Sequence, residues 1–285
     1  MKRNDYIAYN DDINSRDKYY RSTKNEPWWT DKLSYYPDMG KAYDSFSDIF
    51  QISKENFILT NGCENALRIM LEYSKCHNLI IEKPGWQMTE VLGNALRYNV
   101  SYNEFVFDKS SKEFYLDIDY NSIPESSLIY TTDTYNNLFK HRNINIKKVV
   151  DNNAELIIDE TYTMKSLREH KAPEKNFVIG SFSKFFGAGY RLGYILFPKQ
   201  HNNNIQMLRE QYINSEACKL LSCKEYVKAN LNRIAALESE KNTDQDIVTV
   251  HPVYKTFMLD NIDIPHKKFQ VSNVNFCRIG RNCIY

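Results

Sequence analysis

The chain has 285 residues and a mass of 33.7 kDa, which is enough for one large domain and a smaller one, each with its own core. Its 37 Lys and Arg residues nearly cancel its 36 Asp and Glu residues, and the formal net charge is +1. A protein that binds nucleic acid by neutralising phosphates usually has a basic excess or stripe, so this composition argues against a nucleic-acid partner.

The sequence also argues against secretion, a membrane span and a zinc site. The first residues, Met1 to Asp5, are polar and do not lead into an apolar secretory core, and no window approaches 18 apolar residues. The six cysteines form no C-x-x-C pair and have no matching histidine pair. Scattered cysteines in a chain of this size fit a reducing compartment, so we expect a cytoplasmic protein.

Residues 1–30 are polar with few periodic apolar positions, and we interpret them as an N-terminal arm. Beyond them, continuous apolar runs predict strands that are covered on both faces. The five runs are Leu79–Ile81, Ser127–Tyr130, Leu156–Ile158, Phe177–Ile179 and Tyr194–Phe197.

Helices are predicted between some of these strands, because Asn65–Tyr73 and Gln87–Leu96 each place apolar side chains on one face. The alternation predicts an α/β domain with a largely parallel sheet over residues 31–203. A helical stretch over 204–241 and short strands follow, so residues 204–285 are predicted to form a smaller α+β domain.

The segment Gly180–Gly193 carries the strongest chemical motif. Lys184 follows a predicted buried strand and a pair of hydroxyl residues, Ser181 and Ser183, and a Gly-x-Arg-x-Gly sequence containing Arg191 comes next. A lysine amine condenses with aldehydes, hydroxyls donate to phosphates, and a guanidinium neutralises phosphate charge with several donors. The pattern indicates a site for a phosphate-bearing aldehyde; the competing interpretation is an exposed Ser- and Gly-rich loop.

Asp159 follows the predicted strand Leu156–Ile158, at the edge where open α/β sheets bind ligands. Its carboxylate could keep a pyridine nitrogen protonated and make the ring an electron sink. Tyr162, three residues later, could bond a ring hydroxyl. An Asp that caps a helix is the competing interpretation.

Two further segments predict parts of the same pocket. The Gly-containing turn Thr60–Glu64 opens a helix, whose backbone N–H groups and dipole can hold a phosphate. Trp86 follows a strand end and can stack on a flat heterocycle, although a Trp is more often core or interface.

In this order and spacing, the four segments resemble the class I/II aminotransferases, closest to the histidinol-phosphate aminotransferase branch, over roughly residues 33–282. The resemblance implies the aspartate-aminotransferase fold (fold type I): an α/β fold with a mostly parallel seven-stranded sheet flanked by helices and a reduced C-terminal α+β small domain. It also implies pyridoxal 5'-phosphate (PLP) as the cofactor.

The resemblance assigns a role to each matching residue. Lys184 corresponds to the Schiff-base lysine, Asp159 to the pyridinium partner and Tyr162 to the ring-hydroxyl partner. Trp86 corresponds to the ring-stacking residue, and the phosphate ligands correspond to Ser181, Ser183, Arg191 and the amides of Cys63 and Glu64. Tyr36 corresponds to a tyrosine that contacts the phosphate from the neighbouring subunit of a homodimer. Arg278 corresponds to the arginine that binds the substrate carboxylate.

The sequence departs from the family pattern in several places. The family's Asn-Asn-Pro-x-Gly loop is eroded to Thr134–Phe139. Asn137 aligns with the ring-hydroxyl asparagine, but a two-residue shift would place Tyr135 there. The chain stops soon after Arg278 and leaves out the family's last helix, so we expect a truncated small domain.

The resemblance implies an aminotransferase that moves an amino group between an amino acid and a small oxo compound, which would be phosphorylated by analogy with the nearest branch. A PLP-dependent decarboxylase of the same fold and a non-catalytic protein of this fold are the alternatives. The cofactor motifs do not separate transamination from decarboxylation. Retention of Lys184, Asp159, Tyr162 and Arg191 argues against a non-catalytic protein.

Overall fold

The computed structural model describes residues 38–108, 113–116, 123–135, 140–141, 149, 153–209, 212–238, 247–250, 254–257, 267–271 and 274–280. These residues form a central sheet with helices on both faces and a separate four-stranded sheet. Within these ranges no helix is both long and apolar enough to cross a membrane.

Helix α1 (Met39–Phe50) begins at Asp38, whose carboxylate accepts a hydrogen bond from the Lys41 backbone N–H at 3.0 Å. It ends at Gln51, which adopts a left-handed backbone conformation with a φ of 53°. One face of the helix is buried. The buried residues are Ala42, Tyr43, Phe46, Ile49 and Phe50.

Strands and helices then alternate along the chain. The first group comprises a 3-10 helix (Lys54–Asn56), β1 (Phe57–Thr60), α2 (Cys63–Tyr73), β2 (Asn78–Lys83), α3 (Gln87–Ala95), β3 (Asn99–Asp108) and β4 (Glu113–Leu116). The second group comprises β5 (Ser127–Thr132), β6 (Thr134–Tyr135), β7 (Lys140–His141), β8 (Glu155–Asp159), α4 (Lys165–Arg168), β9 (Phe177–Ser181), two 3-10 helices (Phe182–Lys184 and Ala188–Tyr190), β10 (Gly193–Leu196) and a last 3-10 helix (Lys199–His201).

Seven strands form the central sheet in the order β1-β10-β9-β8-β5-β2-β3. The pairs β2–β3, β2–β5, β5–β8 and β8–β9 are parallel, whereas β10 runs antiparallel to both β1 and β9. The second part of β3 pairs antiparallel with β4, which extends the sheet to an eighth strand. The mostly parallel sheet with flanking helices confirms the predicted fold class.

The predicted elements coincide with structural ones. The five apolar runs correspond to β2, β5, β8, β9 and β10, and the two predicted helices correspond to α2 and α3. Strands β1 and β3 and helix α1 are not predicted by the sequence patterns.

Apolar side chains pack against both faces of the sheet, because successive residues of a strand point to opposite faces. In β8, Leu156 and Ile158 join the core beneath α1, whereas Ile157 joins the core beneath α2. The sheet is therefore buried on both sides, as continuous apolar strands require.

The chain continues into α5 (Asn202–Leu208), α6 (Ser215–Ser222) and α7 (Lys224–Glu238). A four-stranded antiparallel sheet follows in the order β11-β12-β14-β13, formed by Ile247–Val250, Tyr254–Phe257, Val274–Gly280 and Lys267–Val271. Ala217 and Leu220 of α6 and Val227 of α7 lie in the same core as α1. The predicted division at residues 203/204, with an arm over 1–30, stays a prediction.

Phe46 is central to the core beneath α1, and replacing it with Ala should strongly destabilise the protein. Its ring lies 4.4 Å from Phe57 and 4.7 Å from Phe50 between ring centroids. Removing a fully buried aromatic ring costs about 3–5 kcal/mol, and we expect that loss in the free energy of unfolding by denaturant titration. Met207→Ala is the matched control: Met207 is 79% exposed, and its replacement should change stability by less than about 0.5 kcal/mol.

Candidate active site

A cavity of about 770 Å³ lies at the carboxyl ends of the parallel strands β5, β8 and β9. Ligands of open α/β sheets bind at this edge. The lining comprises Cys63, Glu64, Gly85, Trp86, Gln87, Met88, Val91, Tyr130, Thr132, Asp159, Thr161, Tyr162, Ser181, Ser183, Lys184 and Arg191.

The cavity brings together nine of the twelve residues predicted from the sequence: Cys63, Glu64, Trp86, Asp159, Tyr162, Ser181, Ser183, Lys184 and Arg191. Tyr36 and Asn137 lie outside the described residues. Tyr135, the alternative to Asn137, pairs with Lys140 between β6 and β7. Arg278 lies in β14, where its backbone is opposite Thr256 of β12, and its side chain is outside the described part of the chain.

Asp159 is the last residue of β8 and is only 6% exposed. One carboxylate oxygen, Oδ1, accepts a hydrogen bond from the Thr161 backbone N–H at 2.8 Å. The other, Oδ2, accepts one from the Tyr130 hydroxyl at 2.6 Å, and the Cys63 thiol lies 3.6 Å away as a weaker donor. Buried polar groups require such partners, and these donors hold both oxygens of the Asp159 carboxyl group in place.

Lys184 ends a short 3-10 helix that begins directly after β9. Ser181 starts this turn, and its hydroxyl accepts a hydrogen bond from the Ser183 backbone N–H at 3.1 Å. Phe182, fully buried in the turn, anchors it to the core. The turn places the Lys184 amine in the cavity, with Nζ 5.4 Å from the centroid of the Tyr162 ring.

The start of α2 forms a cradle for an anion at another part of the cavity. Gly62 is the N-cap residue with a φ of 97°, and it has no side chain that could cap the first turn. The Arg191 guanidinium donates to the Asn61 carbonyl at 3.3 Å, which places its positive charge next to this turn. A Cβ on Gly62 would lie 3.0 Å from Arg191 Nη2 and would fill the cradle. Helix N–H groups and a guanidinium together favour a bound phosphate.

Trp86 lies on the wall formed by the start of α3, where it is half-buried. Below it, Glu82 is buried at the end of β2 and accepts hydrogen bonds from the Thr132 backbone N–H at 3.2 Å and from its hydroxyl at 3.0 Å. The Thr131 hydroxyl also donates to Glu82. These contacts tie the ends of β2 and β5 together under the cavity.

Several lining residues were not predicted from the sequence: Gln87, Met88, Val91, Tyr130, Thr132 and Thr161. Tyr130 and Thr132 lie at the carboxyl end of β5, the next strand to β8 in the sheet. Their position at the end of a predicted strand indicates that they could line the same cavity as Asp159, because the carboxyl ends of neighbouring parallel strands meet at one edge of the sheet.

Two more buried carboxyls lie close to Asp159. Asp133 accepts a hydrogen bond from the Thr163 hydroxyl, and Glu160 accepts from the Ser166 backbone N–H at 2.6 Å and its hydroxyl at 2.7 Å. Burial raises the pKa of Glu160 to about 7. Burial, with the nearby Glu160 charge, raises the pKa of Asp133 well above its usual range. Both carboxyls hold the loop that carries Tyr162.

Glu160 should make the protein less stable as the pH rises from about 4.5 to about 7. In this window the native state holds a proton on Glu160 that the unfolded chain has lost, so the native state binds more protons and the free energy of unfolding falls with pH. Relative to Glu160→Gln, the wild type should lose roughly 2–3 kcal/mol across the window.

Chemical denaturation of both proteins between pH 4.5 and pH 8 measures this difference. Glu174→Gln is the control, because Glu174 is an exposed glutamate outside the surroundings that shift the pKa of Glu160, and it should leave the pH profile of the wild type unchanged. Parallel profiles for wild type and Glu160→Gln would contradict the assignment.

No protein-family model and no curated protein matches the chain. Solved structures do match. Histidinol-phosphate aminotransferase from Clostridium acetobutylicum aligns with a TM-score of 0.61 and 18% identity, over 87% of this chain and 86% of that one. A PLP-bound protein from Clostridium difficile 630 aligns with a TM-score of 0.58 and 15% identity, over 73% and 63%. L-threonine-O-3-phosphate decarboxylase from Porphyromonas gingivalis aligns with a TM-score of 0.59 and 13% identity, over 87% of each chain.

At these identities the likeness is one of fold. The chain has the fold of the class I/II aminotransferases, fold type I, and the resemblance predicted from its motifs is confirmed at that level. The cavity lies at the sheet edge where this class of fold binds its ligands, so fold and cavity together define the framework for the functional proposal.

Proposed function

We propose that the chain is a PLP-dependent aminotransferase, which moves an amino group between an amino acid and a small oxo compound. One observation carries the proposal: an amine (Lys184), a buried carboxylate (Asp159) and a guanidinium (Arg191) meet in one cavity with the start of α2. PLP has an aldehyde, a ring nitrogen and a phosphate, and each has a complementary group in this cavity.

The cradle at the start of α2 would hold the phosphate. The backbone N–H groups of Cys63 and Glu64 begin the helix, and Arg191 supplies positive charge beside them. The hydroxyls of Ser181 and Ser183 line the same cavity as further donors. A phosphate at this place would also accept hydrogen bonds from the first turn of α2, where the N-cap residue Gly62 has no side chain to do so.

The remaining groups would hold and act beside the ring. Asp159 would pair with the ring nitrogen, Tyr162 would donate to the ring hydroxyl, and Trp86 would cover the ring face. When bound, PLP supplies an aldehyde for the Lys184 amine and a ring that accepts electrons from the substrate α-carbon. Lys184 would be the amine in the cavity that takes a proton from that carbon and returns it to the cofactor carbon that had carried the aldehyde.

Three further residues, Asn137, Arg278 and Tyr36, would complete the site from outside the described cavity. Asn137 would share the ring-hydroxyl contact, and Arg278 would hold the substrate carboxylate with two parallel hydrogen bonds. Tyr36 would reach the phosphate of the other subunit in a cytoplasmic homodimer. The substrates would be an amino acid and an oxo acid or oxo phosphate.

A decarboxylase is the second candidate, because the chain aligns equally fully with L-threonine-O-3-phosphate decarboxylase from Porphyromonas gingivalis, over 87% of each chain. The same cofactor-holding residues would serve both reactions. The two differ in which bond of the substrate α-carbon lies perpendicular to the ring, and this depends on how the substrate is held.

Lys184 should be the residue to which PLP becomes attached. After PLP addition and reduction with sodium borohydride, peptide mass spectrometry should find a pyridoxyl group on Lys184, and the absorbance band of lysine-bound PLP should disappear on reduction. Lys184→Ala should abolish both signals. Lys199→Ala is the control, because Lys199 is exposed and forms a surface ion pair with Glu55. Attachment to another lysine, or none in the wild type, would overturn the PLP assignment.

Amino donors should convert the bound cofactor to pyridoxamine phosphate without release of CO2. We would add amino acids and their phosphorylated forms singly to PLP-loaded protein, without an oxo acceptor, and follow both products. Release of CO2 with retention of PLP would identify a decarboxylase instead. Lysine-bound PLP that no donor changes would favour the non-catalytic alternative.

A further inference from the structure

Tyr130 is a fully buried tyrosine in β5, and its hydroxyl faces the carboxylate that is proposed above to act on the cofactor. Its side chain is 2% exposed, and its hydroxyl donates to Asp159 Oδ2 at 2.6 Å. The two residues are brought together by the parallel pairing of β5 with β8. A hydrogen bond to a charged group is shorter and stronger than one between neutral groups, and this distance is in that range.

The donors around Asp159 restrain the whole carboxylate group. Thr161 holds Oδ1 through its backbone N–H at 2.8 Å, and Tyr130 holds Oδ2, so the plane of the carboxylate is fixed from both sides. Each carboxylate oxygen can accept two hydrogen bonds, which leaves acceptor capacity for a ligand in the cavity that Asp159 lines.

Three other carboxyl residues, Glu82, Asp133 and Glu160, are buried near the same strand ends. The Tyr130 hydroxyl is a proton donor that faces the Asp159 carboxylate, and its hydrogen bond fixes the position of that carboxylate among them. Burial, reinforced by the Asp159 charge, raises the pKa of Tyr130 well above its usual range, so the phenol keeps its proton and remains a donor.

We propose that Tyr130 is a positioning residue that holds the Asp159 carboxylate in the orientation for contact with the cofactor ring nitrogen. The inference rests on the proposed PLP function and adds a residue that acts only through Asp159. Its effect should therefore depend on the presence of a nitrogen in the ring of the bound molecule.

Binding of two probes to the cofactor-free protein tests this. One is PLP, and the other is the PLP analogue in which carbon replaces the ring nitrogen. Tyr130→Phe should weaken PLP binding about tenfold, because a hydrogen bond to a charged group is lost, and should change binding of the analogue less than about twofold. Tyr194→Phe is the matched control: the Tyr194 hydroxyl is also fully buried but makes no hydrogen bond to any residue that the structure describes, so neither probe should be affected.

If Tyr130→Phe weakens binding of both probes equally, the role of Tyr130 is structural and the inference is overturned. Unchanged binding of PLP to Tyr130→Phe would also overturn it. If the wild type binds neither probe, the proposed function and the inference both fail. If the wild type binds PLP through Lys184 but the probes respond equally to Tyr130→Phe, only the inference fails.

A second variant covers the case in which Tyr130→Phe does not fold. Asp159→Asn removes the buried charge that Tyr130 supports, so adding it to Tyr130→Phe should restore a cooperative unfolding transition. Failure of Asp159→Asn to rescue folding would show that Tyr130 acts on the core independently of Asp159, and would overturn the inference.

Discussion

Asp159 lies between the ends of β5 and β8 at 6% exposure, where a charge is stable only if hydrogen bonds replace the water that it has lost. Most of the cavity can be understood from this requirement. Thr161 turns its backbone N–H to one carboxylate oxygen, which fixes the start of the loop carrying Tyr162. Tyr130 takes the other oxygen and places an aromatic side chain under the cavity. The far end of the loop is held at Ser166, which donates two hydrogen bonds to the Glu160 carboxylate.

The anion cradle depends on a steric constraint, the close approach of the backbone of the turn before α2 to strand β10. The antiparallel pairing of β1 with β10 places Thr60 opposite Gly193. A Cβ on Gly193 would lie 2.5 Å from the Gly62 carbonyl carbon, so only glycine allows the turn before α2 to lie against β10. Arg191 precedes this contact in a left-handed conformation with a φ of 49°. A non-glycine residue held in that conformation stores strain, which is typical of functional turns.

The sequence predicts the buried strands and most of the cavity, but with characteristic gaps. Leu156–Ile158 and the other apolar runs predict strands because both faces of those strands are covered. Strand β3 escapes this pattern because it is a peripheral strand whose first residues are largely exposed and polar. Lys184, Asp159 and Arg191 are recognisable from local motifs. Tyr130 is not, since it belongs to an apolar run and meets its acceptor, 29 residues away, only when β5 and β8 pair.

Cys63 connects the two halves of the cavity, because its backbone begins α2 at the anion cradle while its thiol lies 3.6 Å from Asp159 Oδ2. Burial and the Asp159 charge raise the pKa of this thiol well above its usual range, so it stays neutral and is a weak donor, not a competing anion. Cys63 thus fixes the spacing between the anion cradle at the start of α2 and the buried Asp159 carboxylate. The proposed cofactor carries a phosphate and a basic ring nitrogen, and these two groups would have to match that spacing. Whether transamination or decarboxylation follows would depend on the residues that hold the substrate.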